Sequence, residues 1–329
     1  MGVTKCSRSS LTKTRMGDSG ESSKRKWLDW IAFLILQSGV SLLLLSRGWL
    51  TWRWDSPLRE LIWEEKWWTP VLAKFDITWG HFARTSDTWI TPTLERTGIF
   101  LMVSAAIPWL AMAPRLRWMR WLLIPAILIV GLDAFARWVG KDMQAGMAME
   151  YALRFFLPVA LLIYLGRGPS LSGVRRRVVT WMLLLAASLT FTGHGLYAMG
   201  YYDIPLAFRI MTTEILAISE EASLAFLTLA GWLDFLVVAL VFFPGTRLVA
   251  LIYMMLWGGA TTGARIWAYY EPTLPWNGLD PWLAEALVRT PHFLVPLWLI
   301  LMMRKAKNEK GTGDREDPAE LEGRAEEQI

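Results

Sequence analysis

Long apolar runs, broken by short charged or aromatic segments, recur from residue 29 to residue 303, and they restrict the fold more than any other feature of the chain. A helix crossing the roughly 30 Å hydrocarbon core of a bilayer needs about 20 mostly apolar residues. Only helices and closed barrels satisfy their backbone groups there. The runs are too long for barrel strands and too evenly apolar for the one-sided helices of a soluble domain. With 54% of its residues hydrophobic, a chain of 329 residues has more apolar surface than a soluble core could bury. The pattern predicts an all-α, polytopic transmembrane bundle of about eight spans, at 29–49, 97–113, 118–138, 151–166, 178–199, 224–243, 247–269 and 287–303.

Lys24, Arg25 and Lys26 precede the first run, and Arg304, Lys305 and Lys307 follow the last. Arg115, Arg117, Arg120, the cluster Arg175, Arg176 and Arg177, and Arg247 occupy alternate intervening loops. The positive-inside rule then predicts that both termini are cytoplasmic, with the inner membrane as the site if the source is bacterial. The remaining connections, 50–96, 139–150, 200–223 and 270–286, carry mixed or acidic charge and fall on the opposite face. Within the first of these, Leu58, Leu61 and Ile62 alternate with Arg59, Glu60, Glu64, Glu65 and Lys66, as in a helix lying in the interface. The 21 tryptophans read as interfacial belts.

The net charge of +5 is spread over loops and forms no single basic patch, so the expected partners are the lipid bilayer and other membrane subunits, with no nucleic acid. No cleavage pattern follows the polar tail 1–28, and the first run reads as a signal anchor. The lone cysteine, Cys6, permits neither an intrachain disulfide nor a thiolate cluster. The segment 167–177 reads as a basic linker, and the charged tail 304–329 is expected to be disordered beyond Gly311.

Polar landmarks recur in the same order in two halves, 29–166 and 178–303. Arg47-Gly48 followed by Asp55-Ser56-Pro57-Leu58 matches His194-Gly195 followed by Asp203-Ile204-Pro205-Leu206. Ala136-Arg137-Trp138 matches Ala264-Arg265-Ile266-Trp267. Glu150, Arg154 and Pro158 match Glu285, Arg289 and Pro296. The expectation is an internal duplication of a four-helix unit, with the two copies parallel because each holds an even number of spans.

Ionisable groups within apolar runs cost about 3 kcal/mol each on insertion scales, so they face protein and find partners. Arg47, Asp133, Arg137, His194, Asp234 and Arg265 occupy such positions, and Asp55, Glu150, Arg154, Asp203, Glu285 and Arg289 flank them on the same side. Together these twelve form a candidate polar pocket on the outer half of the bundle. Asp133 with Arg137, Glu150 with Arg154, and Glu285 with Arg289 have the four-residue spacing of same-helix ion pairs. Asp234 has no basic neighbour within one turn, which makes Arg265 of the next span a candidate partner. Of the three histidines, only His194 and His292 could face one another as two axial haem ligands; the expectation is instead a pair of hydrogen-bonded or interfacial histidines. Gly259 and Gly263 have the spacing of a close helix contact. No metal-ligand, phosphate-loop or nucleophile–base motif occurs, so no metal and no stand-alone catalytic activity is expected.

The second half resembles the small four-helix DoxX-type membrane proteins. The likeness is carried by His194-Gly195, the Pro205 segment, Gly231-Trp232-Leu233-Asp234, the Arg247 turn and Gly263-Ala264-Arg265. It covers roughly 178–303, and it implies a four-helix bundle and, for some members, a link to quinone-dependent oxidation. A quinone is therefore compatible with the candidate pocket, and haem is not expected. Three functions follow: a quinone- or lipid-binding component of a membrane redox or envelope pathway, a non-catalytic assembly or scaffold subunit, and a proton-coupled secondary transporter.

Overall fold

Helix formation begins before the first apolar run and, among the described residues, never gives way to a strand. The computed structural model describes residues 10–166, 168–171 and 173–313, so Cys6 and the acidic tail from residue 314 lie outside the described residues. Among these residues the chain is all-helical. The first half contains α1 (Ser10–Arg53), α2 (Leu58–Ile62), α3 (Glu65–Leu72), α4 (Trp79–Thr85), α5 (Asp87–Ser104), α6 (Ile107–Leu110), α7 (Leu123–Val139), α8 (Ala145–Glu150) and α9 (Ala152–Leu165). The second contains α10 (Gly173–Ala198), α11 (Leu206–Leu216), α12 (Glu220–Leu240), α13 (Arg247–Ala268), α14 (Pro275–Leu287) and α15 (Pro291–Gly313).

Among the described residues, six helical stretches are long and apolar enough to cross a membrane: Lys26–Arg53, Pro114–Val139, Ala145–Leu165, Gly173–Ala198, Glu220–Leu240 and Gly278–Ala306. This is the make-up of a multi-pass membrane protein. The stretches predicted at 97–113 and 247–269 are helical but fall outside the six. The first starts ten residues earlier than the sequence pattern indicates, at Asp87, and breaks after Ser104, ahead of Pro108. The second, α13, has the length, but Arg265, two threonines and three glycines dilute its apolar character.

Neighbouring helices run antiparallel and touch at glycines. Along α1 and α5–α6, Gln37 donates to the Pro108 carbonyl (2.7 Å) and Ser41 to the Ala105 carbonyl (2.7 Å), and further along Gly48 meets Gly98. A Cβ on Gly48 would lie 2.5 Å from the Gly98 carbonyl oxygen, and one on Gly231 of α12 would lie 2.9 Å from that of Gly195 in α10. Only glycine permits backbones to come this close. Between α13 and α15 the tight glycine is Gly258, whose Cβ would lie 2.5 Å from the His292 carbonyl oxygen. The expected pair Gly259 and Gly263 makes no such contact: Gly263 has open space where a side chain would begin.

The two halves exchange partners. Helix α1 packs on α14 and α15 of the second half, and α10 packs on α8 and α9 of the first. The centre is apolar, with Phe33, Tyr164 and Trp298 in ring contact and Leu153, Leu157 and Val295 fully buried. At the end where the basic loops gather, Lys305 pairs with Asp29. Arg247 lies over Trp181 (6.0 Å) at the same end.

Candidate functional site

Arg47 lies 18 residues along α1 from Asp29, or about 27 Å from the basic end at 1.5 Å per residue. His292 lies 13 residues before Lys305, or about 20 Å from the same end. Between these depths the bundle buries a continuous charged network. The Arg47 Nε donates to Asp133 (2.5 Å), both buried. Arg154 pairs with Glu150 (3.3 Å) and rests over the Tyr151 ring (4.3 Å). Arg289 pairs with Glu285 (2.5 Å) and reaches Glu150 across the two halves (3.9 Å).

Two of the three expected four-residue pairs therefore form, each at a helix end rather than within one helix, since Glu150 closes α8 while Arg154 lies in α9, and Arg289 follows the end of α14; the third does not. Asp133 turns to α1, while Arg137, at the half-exposed end of α7, pairs with Glu60 of α2 at 2.7 Å. The reason is depth: Asp133 is buried against Arg47, whereas Arg137 reaches the level of the interfacial helices, where Glu60 waits. The expected link between Asp234 and Arg265 is also absent, with no ion pair between them within 4.0 Å among the described residues. Asp234 instead lies at the cavity described below, with its Oδ1 buried and without a hydrogen-bond partner among those residues. Asp55 pairs with Arg59 (2.9 Å) with its side chain largely exposed, and Asp203 is exposed on the α10–α11 connection, so neither joins the buried network.

The histidines meet. His292 Nδ1 lies 2.8 Å from the Arg289 carbonyl oxygen, which can only accept, so this nitrogen carries the proton. The neutral His292 Nε2 is then an acceptor, and it lies 3.1 Å from His194 Nε2, the donor. Two axial nitrogens on one iron stand about 4 Å apart at about 2 Å per bond, wider than this direct hydrogen bond. Among the described residues no group of three or more histidine, cysteine or acidic side chains is placed to hold a metal.

Beside the histidines opens a cavity of about 510 Å³, enclosed by α10, α11, α12 and α13 and by His292. Its wall is mostly apolar, including Phe191, Phe208, Trp257 and Gly263, and its polar groups are His194, His292, Asp234, Arg265 and two threonines. Helix α11 is held over the cavity by a short turn: Ala217 takes the left-handed conformation that ends α11, and the Ser219 hydroxyl accepts from the Ala222 N–H to start α12. Of the twelve predicted site residues, the structure thus brings His194, Asp234 and Arg265 to the cavity, sets Arg47, Asp133, Glu150, Arg154, Glu285 and Arg289 in the network beside it, and leaves Arg137 with Glu60 at its margin. Sequence reasoning missed Glu60, Phe208 and Thr261 as contributors. None of them breaks an apolar run, and so none carried a signal.

The Asp280 carboxylate, also unforeseen, accepts from the Trp49 indole N–H and ties α14 to α1. Outside the spans, Thr91 and then Arg59 hydrogen-bond the Asp87 carboxylate and hold it below the usual aspartate range. Comparison of the chain with protein-family models, with curated proteins and with solved structures gives no match.

Proposed function

We propose that the chain crosses the bilayer eight times, with both termini on the basic, cytoplasmic side, as two parallel four-helix units, and that the second unit binds a quinone- or lipid-like amphiphile. Support for eight crossings comes from α5 and α13, which run antiparallel to α1 and α15 over much of their lengths and so link helices that must return to the same side. Support for duplication comes from matched packing. Gly48 and Gly98 touch as Gly195 and Gly231 do, and α1 lies on α14 and α15 as α10 lies on α8 and α9.

The observation that carries the functional reading is the cavity of about 510 Å³, apolar over most of its wall and polar at one end. Binding pockets fall in a range of roughly 300–1,000 Å³ and combine an apolar lining with a few convergent polar groups. The DoxX-type resemblance of residues 178–303 points to the same half. Mass spectrometry of protein extracted in mild detergent is expected to find one bound amphiphile per chain. The variant Gly263→Leu, which fills the open space at that glycine, is expected to lose it. Wild-type protein that carries no quinone or lipid, and takes up neither when supplied, overturns the reading.

A further inference from the structure

Arg137 and Arg265 hold matched places. Each stands six residues beyond a glycine facing a phenylalanine of the next long helix, Gly131 against Phe155 and Gly259 against Phe293. Arg137 is neutralised by Glu60, which stands three residues after Pro57. In the second half the residue three after Pro205 is Phe208, and it lines the cavity together with Arg265. The carboxylate that serves one arginine is thus replaced by a ring and a space beside the other.

Arg265 is 5% exposed and has no carboxylate within 4.0 Å among the described residues. Its guanidinium donates to the Thr261 carbonyl of its own helix (2.8 Å). The ion pairs of the buried network leave Arg265 out, as they leave out Asp234, among the described residues the other charged side chain with no ion pair at the cavity. Arg47 pairs with Asp133, Arg154 with Glu150, and Arg289 with Glu285. Asp234, the fourth carboxylate, also lines the cavity and makes no ion pair with Arg265. A buried guanidinium at the polar end of a mostly apolar cavity, with no carboxylate in ion-pair contact, is an arrangement that an anionic ligand completes.

We infer that the cavity takes an amphiphile carrying one negatively charged oxyanion, a carboxylate or a phosphate, whose head pairs with Arg265 as Glu60 pairs with Arg137. The inference rests on the amphiphile-binding reading of the cavity and adds the charge of the head. It also separates two sources of oxyanion. With its Nε2 proton given to His292, neutral His194 keeps an acceptor at Nδ1, which suits the hydroxyl of a phosphate monoanion and gives nothing to a carboxylate.

The test is native mass spectrometry of the full chain in neutral detergent with three probes of equal chain length: palmitate, methyl palmitate and hexadecyl phosphate. Wild-type protein is expected to bind at least one of the acids roughly 10- to 100-fold more tightly than the ester, the range of a charge-assisted hydrogen bond. Tighter binding of the phosphate assigns that head, and tighter binding of palmitate assigns the carboxylate. Arg265→Gln is expected to bind all three alike. Should that variant fail to fold, Phe208→Glu supplies within the chain the carboxylate that the first half has; it is expected to lose acid binding while keeping ester binding. Equal binding of acids and ester by the wild type, or undiminished acid binding by Phe208→Glu, overturns the oxyanion while leaving the cavity reading in place. Failure to bind any of the three overturns the oxyanion, and failure to take up a quinone as well overturns the cavity reading.

Discussion

The two halves of the molecule place similar helices around opposite kinds of interior. In the first, the arginine that precedes the packing glycine of α1, Arg47, is locked to Asp133, and Arg137 is locked to Glu60. Three residues beyond the glycine of α5 that packs on α1 stands Leu101, fully buried. In the second half the corresponding places hold His194, Thr261, Phe208 and Asp234, and all four line the cavity. Charges that the first half neutralises internally are replaced or left open in the second. An additional difference lies in the last helices: Arg154 runs directly into Phe155, whereas Thr290, Pro291 and His292 separate Arg289 from Phe293. The histidine that completes the pair with His194 thus comes from a segment that the first half does not have.

The largest expected effect is on the ion pair of the first half. Asp133→Ala leaves Arg47 buried without its partner and is expected to destabilise the protein by about 3–5 kcal/mol, the range for breaking a buried pair from one side. Arg265→Gln removes a guanidinium that has no carboxylate, and in ligand-free protein it is expected to leave the melting temperature unchanged or raise it. Thermal unfolding of both variants in one detergent checks the contrast, and a loss for Arg265→Gln as large as that for Asp133→Ala breaks it.

A smaller difference is expected at two glycines. Gly48→Ala puts a methyl group 2.5 Å from the Gly98 carbonyl oxygen and is expected to cost about 1–3 kcal/mol, as overpacking does. Gly263→Ala meets nothing within 4 Å and should be neutral or slightly stabilising through helix propensity. Equal melting temperatures for the two would mean that the tight α1–α5 approach is not maintained in the membrane.

The smallest effect concerns the interfacial segment of the first half. Because Thr91 and Arg59 hold the folded Asp87 carboxyl below its unfolded value, its contribution is present above the unfolded value and is lost as the pH falls through the folded one. Since the group is exposed, that contribution is minor. Thr91→Val is expected to move the Asp87 titration upward, as read by carboxyl-carbon NMR, and no movement would remove the hydroxyl as its cause.

Length and continuity of the apolar runs made the helical, multi-pass character legible from the chain alone, because a bilayer accepts few other solutions for such runs. The four-residue spacing also foretold the pairs Glu150–Arg154 and Glu285–Arg289, since four residues of helix-like chain bring such side chains together even at the helix ends where both pairs sit. Where partners are distant along the chain, spacing is silent. Nothing in the sequence says that Asp133 turns to Arg47, that Arg137 reaches Glu60, or that Gly258 rather than Gly263 meets the next helix. The sequence by itself determined the solvent the chain is built for, the approximate positions of most of its long apolar helices and most of the charges that are buried, because those follow from local composition and period. Only the tertiary structure decided which buried charge is satisfied and which is left facing a cavity, because that depends on how far apart packed helices bring residues that the chain itself keeps more than fifty positions apart.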